Sequence, residues 1–186
     1  MSKTRKFQPP WLEQTASNRS YRSLYKWGEP DGFKHPNQGM YQMLKDVFQL
    51  DDQAFEAPVN TGLEKFSAEI PSRLPARHID RLTEIVGQEN LSTDTYRRTR
   101  TSYGAGMIDA LRVRHKIFEN IADVVVSPSN NQQISEILNY CKAERLPVYI
   151  YGAGSTVTRG VEAVQGGVCV DMSQHMNKVL DFNETN

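Results

Sequence analysis

Cysteine is scarce in this chain: Cys141 and Cys169 are the two thiols, and no Cys-x-x-Cys spacing occurs. Each falls in an apolar pattern, Cys141 on a helix stripe and Cys169 in a strand. Both therefore read as small core residues, as in a reducing compartment. An excess of charge of one sign is also lacking. Lys+Arg and Asp+Glu both number 22, so the formal net charge is zero, which removes any global electrostatic argument for nucleic acid or membrane binding. The local basic runs "YRRTR" (96–100) and "RVRHK" (112–116) read as solvated faces. Long apolar runs are missing too: the basic N-terminus "MSKTRKFQPPWLEQ" has no stretch of signal-peptide length, and nothing resembles a transmembrane span. A soluble, cytoplasmic protein is expected. His35, His78, His115 and His175 are each isolated from a second ligand, so no metal site is expected. Asp109, Asp123 and Asp171 are single carboxylates rather than an acid–base pair, with Asp171 suited to a turn or strand end. No Ser-His-Asp arrangement follows from spacing, and no catalytic residue is nominated.

What is present divides the 186 residues into parts of different character. Hydrophobic residues make up 38% and mean hydropathy is −0.59, so a core is expected in only part of the chain. Residues 1–74 are polar and rich in turn formers, with Trp11, Tyr21, Tyr25, Trp27 and Phe33 as anchors of an extended arm. Within them, Met40, Met43, Leu44, Val47 and Phe48 repeat at helical spacing. A second helix is predicted from Pro75, at the first helical position, to Val86, with Ile79, Leu82, Ile85 and Val86 on one face and Gly87 ending it. Residues 1–87 are thus an N-terminal arm and helical region. Residues 88–120 read as a connecting segment with one short helix around residues 107–112.

From residue 121 the pattern becomes regular. "DVVVSP" is a β-branched run stopped by Pro128, as a buried strand would be. Ser129 or Asn130 can cap the helix that follows, with Gln132 or Gln133 as capping-box partner. Ile134, Ile137, Leu138 and Cys141 share its apolar face. "VYIY" after Pro147 and "GGVCVDMS" after the glycine loop are further strands. This order predicts an α/β layer with a parallel strand pair joined by the helix.

Between those last two strands lies "GAGST", which buries almost nothing. It is expected to leave the carboxyl end of an interior strand, where open α/β sheets bind ligands. Gly152 and Gly154 allow close approach of the main chain, successive N–H groups can form an anion nest, and Ser155 and Thr156 add hydroxyls. A pyrophosphate suits such neutral donors. A plain Gly-rich connection is the competing reading. Neither a P-loop nor a Rossmann fingerprint is present, since Gly-Lys-Ser/Thr is absent and Gly-x-x-Gly does not complete.

The order of motifs from residue 121 to 186 resembles the first FAD-binding subdomain of the vanillyl-alcohol oxidase/p-cresol methylhydroxylase flavoprotein family. Pro128, Pro147, the 152–156 loop, Gly166-Gly167, Asp171, Met176-Asn177 and Leu180 fall in matching order. Upstream, "YKWGEPDGF" is similar to a region of the alkyldihydroxyacetone-phosphate synthase branch, matched approximately by Trp27, Gly28, Asp31 and Phe33. Glycolate-oxidase-type and D-lactate-dehydrogenase-type members are alternatives. The resemblance implies an α+β fold: the first α/β subdomain of a PCMH-type FAD-binding domain (121–186), preceded by a partly helical arm. It implies that Ile150, Tyr151, Gly152, Ala153, Gly154, Ser155 and Thr156 hold the FAD pyrophosphate. Ala153 stands where the family has a middle glycine, and Ser155-Thr156 reverses the commoner order. No histidine lies in the loop, so FAD is expected to be noncovalent there. The implied activity is that of a flavin-dependent oxidoreductase or synthase acting on a 2-hydroxy acid or an acyl/alkyl-glycerone phosphate. The family's second FAD subdomain and cap domain do not follow, so the chain is expected to be an incomplete piece, inactive alone, with a second polypeptide as one source of the missing half. The rival expectation is a truncated remnant or interaction module that keeps the fold and binds no flavin.

Overall fold

The computed structural model describes residues 17–24, 37–51, 53 and 62–184. The chain forms two compact units, residues 1–65 and 66–186. In the first, α1 (Tyr21–Leu24) is a single turn and α2 (Gln38–Phe48) is the predicted helix. Asn37 caps α2 by accepting the Met40 N–H at 2.8 Å, and Gln49 ends it in the left-handed region at φ 53°. No residue of α2 is buried. Trp11, Tyr25 and the Trp27–Phe33 region lie outside the described residues.

The second unit is built on one mixed sheet in the order β1-β2-β4-β3. Strand β2 (Val124–Val126), β3 (Val148–Tyr151) and β4 (Val168–Asp171) are parallel, and β1 (Leu91–Ser92) joins β2 antiparallel. Strand β4 sits between β2 and β3, so the two strands joined by the helix are not hydrogen-bonded neighbours. This corrects the expectation of an interior strand before the glycine loop: β3 pairs with β4 alone among the described residues. The reason is topological. The 16 residues between β3 and β4 carry no helix, so the chain turns straight back and takes the interior place itself.

Both faces of the sheet are covered, which explains the unbroken apolar run of β2. On one face Val124, Val126, Val168 and Val170 meet Leu82, Ile85 and Val86 of α3 (Ala76–Val86) and Ile137 and Cys141 of α6 (Asn131–Ala143). On the other, Val125 and Cys169 pack with Ala122, Tyr151 and Ala163. Pro75 is the N-cap of α3 rather than its first residue, and Gly87 at φ 87° ends it. Buried His78 replaces Ile79 on the inner face, its Nδ1 2.7 Å from the Tyr140 hydroxyl. Asn130 caps α6 by accepting the Gln133 N–H at 2.9 Å, and Gln133 Oε1 accepts the Ser129 N–H at 2.7 Å. Leu138, placed on the apolar face by periodicity, is 44% exposed.

Residues 88–120 hold more structure than the sequence suggested. A 3-10 turn (Gln88–Asn90) leads into β1, then α4 (Thr95–Ser102) and α5 (Met107–Arg114). Helix α4 packs against β2 and β4. Its "YRRTR" run is not a solvated face. Arg98 is buried, donating from Nε to the Ala122 carbonyl at 2.6 Å and from Nη1 to the Ile70 carbonyl at 2.7 Å. A guanidinium tolerates burial when its donors are met by carbonyl dipoles. In the second basic run, Val113 is buried and Arg112 lies over the Tyr103 ring at 5.3 Å. Among the described residues no helix is long and apolar enough to cross a membrane.

Candidate functional site

The parallel strands β2, β3 and β4 all point their carboxyl ends the same way, and the 152–156 loop leaves β3 at that end. The Tyr151 carbonyl still accepts the Met172 N–H at 2.8 Å. Beyond it the ladder stops. The backbone N–H groups of Gly152, Ala153, Gly154, Ser155 and Thr156 have no protein acceptor among the described residues. Gly152, Ala153 and Ser155 are exposed, and Gly154 and Thr156 are half-buried.

The two loop glycines differ. Gly154 has φ +67°, and a Cβ there would lie 2.4 Å from the Tyr151 hydroxyl. Its identity is therefore required by the chain's own geometry. Gly152 is outside the left-handed region, and a Cβ there would meet nothing within 4 Å. Ala153, which replaces the family's middle glycine, is also outside the left-handed region, so its methyl carries no backbone strain.

Of the other expected residues, Tyr151 turns its ring into the core, leaving only its main chain for a ligand. Burial pushes its phenol pKa up, while nearby Arg100 pulls it partly back. Ile150 is 58% exposed at the sheet edge.

The loop's exit is firmly held. Thr156 Oγ1 accepts the N–H groups of Gly160 at 3.2 Å and Thr158 at 3.4 Å, and its carbonyl accepts the Ala105 N–H at 2.8 Å. Glu162 gathers three donors on one carboxylate oxygen: Arg112 at 3.1 Å, Asn120 at 2.7 Å, and Arg159. Burial pushes its pKa up, but those hydrogen bonds outweigh it and hold the carboxyl below its ordinary value.

At the neighbouring strand ends, Arg97 donates to the Ser127 hydroxyl at 2.7 Å and to buried Asp171 at 3.3 Å. Asp171 also accepts the Ser173 N–H at 2.9 Å, the strand-end turn its type suggested. Asp109 and Asp123 likewise hold main chain, Asp109 accepting from Gly104 N and Asp123 from Gly167 N. Among the described residues no group of three or more His, Cys, Asp or Glu could hold a metal.

The arrangement offers neutral main-chain donors, two hydroxyls and open space above Gly152, which is the chemistry a pyrophosphate takes. The family model described as "FAD binding domain" matches residues 122–186. That segment is similar to an FAD binding domain. Its cofactor is FAD.

The chain is 28% identical over 107 residues to glycolate oxidase subunit GlcD of Bacillus subtilis, covering 58% of this chain and 21% of that protein. It is 26% identical over 132 residues to alkyldihydroxyacetonephosphate synthase of Trypanosoma brucei brucei, covering 68% of this chain and 21% of that protein. A solved structure of alkyldihydroxyacetonephosphate synthase superposes with a TM-score of 0.58 at 22% identity, covering 62% of this chain and 22% of that one. The α+β fold is thus shared, while the chain spans about a fifth of the length of these relatives.

Proposed function

We propose that the loop of residues 152–156, with Ile150 and Tyr151 leading into it, holds the FAD pyrophosphate through its main-chain N–H groups and the Ser155 and Thr156 hydroxyls. The observation that carries this is Gly152. Neither its backbone angle nor any neighbouring atom requires a glycine there, and its N–H is one of five consecutive loop N–H groups with no protein acceptor among the described residues. A bound pyrophosphate explains both the small residue and the free donors. When bound, FAD supplies redox chemistry at its isoalloxazine ring. This chain's own part is to bind and orient the other end of the cofactor, noncovalently.

The activity is proposed as that of a flavin-dependent oxidoreductase or synthase, with a 2-hydroxy acid or an acyl/alkyl-dihydroxyacetone phosphate as substrate. The names of the relatives support both substrate classes. Further structure, from this or a second polypeptide, belongs to the same proposal.

The test is Gly152→Val with FAD titration of the purified chain. The variant is expected to weaken FAD by at least tenfold, about 1.4 kcal/mol, with an unchanged melting temperature. Thr158→Val, just beyond the loop and exposed, should bind as the parent does. Full FAD retention by Gly152→Val would sink the assignment, and a parent chain that takes up no FAD would favour a fold kept without flavin.

A further inference from the structure

We propose that Gly104 is a positioning residue for the FAD loop, setting where Thr156 sits from a segment that precedes the matched domain; this rests on the pyrophosphate reading above. Residues 103–106, "YGAG", lie outside residues 122–186 and back directly onto the loop's exit. Gly104 is not in the left-handed region, so its own backbone does not call for glycine. What calls for it is Thr156. A Cβ at 104 would lie 2.3 Å from the Thr156 carbonyl oxygen and 2.7 Å from its Cγ2. The first of these is main chain, which no rotamer change can clear.

The contact is reinforced on both sides. Ala105 donates its N–H to the same Thr156 carbonyl at 2.8 Å. A Cβ at Gly106 would lie 2.9 Å from the Val157 carbonyl oxygen. Gly104 is itself pinned, because its N–H donates to the buried Asp109 carboxylate at 3.0 Å. A side chain at 104 therefore moves Thr156 rather than being accommodated by a shift of its own turn. Ordinary contact begins at 3.4 Å, so the Thr156 main chain must retreat by about 1 Å, enough to break hydrogen bonds whose N–H···O separations lie near about 2.9 Å.

The experiment measures FAD and riboflavin affinity and melting temperature for the full chain carrying Gly104→Ala, Gly106→Ala or Gly152→Val. Riboflavin lacks the pyrophosphate, so global loosening moves both ligands together, whereas displacement of the loop lowers the preference for FAD. Gly104→Ala is expected to lower that preference at least tenfold, with Gly106→Ala showing a smaller drop. If Gly152→Val loses FAD while Gly104→Ala keeps the parent's preference, the positioning role is overturned and the pyrophosphate reading stands. If neither variant changes FAD binding, both fall. Should Gly104→Ala fail to fold, Gly106→Ala decides, and an unchanged preference in that folded variant overturns the proposal.

Discussion

Gly154 and Gly152 look alike in sequence but answer to different constraints. Valine at 154 would combine strain at φ +67° with a collision against Tyr151, so Gly154→Val is expected to lower stability as well as FAD retention. Strain of this kind costs about 1–3 kcal/mol, visible as a lower melting temperature that Gly152→Val does not share. Asp123 is a second residue whose work is structural. Its carboxylate accepts the Gly167 N–H at 2.7 Å and the Arg73 N–H at 3.0 Å, tying the start of β4 to the start of β2. Asp123→Ala strands these donors and should cost about 1–3 kcal/mol in chemical denaturation. The thiols follow chiefly from burial: it pushes Cys169 up to about 12 and Cys141 to about 11. Reactivity follows the thiolate, so neither should react with a thiol reagent at pH 8 until the chain unfolds. Because the folded values are raised, this contribution to stability is full below the unfolded value of 9.0 and is lost as pH rises toward the folded ones.

The elements best read from sequence were those whose buried face is apolar. Strands β2, β3 and β4 and helices α3 and α6 announced themselves by β-branched runs or a 3.6-residue stripe. Ile137, at the centre of one such stripe and fully buried, should cost about 2–5 kcal/mol as Ile137→Ala. Helix α4 hides from the same reading because its buried residues are Arg98, Thr99, Thr101 and Ser102. Hydrogen bonds rather than hydrophobicity seat it: the Ser102 hydroxyl accepts the Ala122 N–H at 2.9 Å and donates to the Arg98 carbonyl at 2.8 Å. Strand β1 has two residues and too little pattern to register. The loop was legible as a composition, but not its clamp, since Glu162 meets Arg112 and Asn120 across more than 40 positions. That clamp makes a pH prediction. The Glu162 carboxyl is depressed in the folded chain, so its stabilisation is present above the unfolded pKa and lost as pH falls through the folded one. Glu162→Gln should be less stable than the parent at neutral pH and should show a shallower acid limb in melting temperature against pH.

At the scale of the whole chain, the recognised domain and the folding unit have different boundaries. Residues 122–186 match the FAD binding domain, whereas the compact unit begins at Phe66. The difference decides what can fold. Leu82, Ile85 and Val86 of α3 fill one side of the sheet, so a chain starting at residue 122 exposes Val124, Val126, Val168 and Val170 on that face. It also lacks Ser102 and Arg98, the acceptor and donor for the buried main chain of Ala122, and buried backbone groups left without partners are costly. The loop loses Ala105, Arg112 and Asn120 as well. Both apolar clusters on the sheet, by contrast, draw on residues from Leu74 onward. A fragment of residues 66–186 is therefore expected to melt in one cooperative transition with a native-like circular dichroism spectrum, and one of residues 122–186 to show no cooperative transition. Cooperative melting of the shorter fragment would mean that the upstream helices decorate the FAD binding domain rather than complete its core.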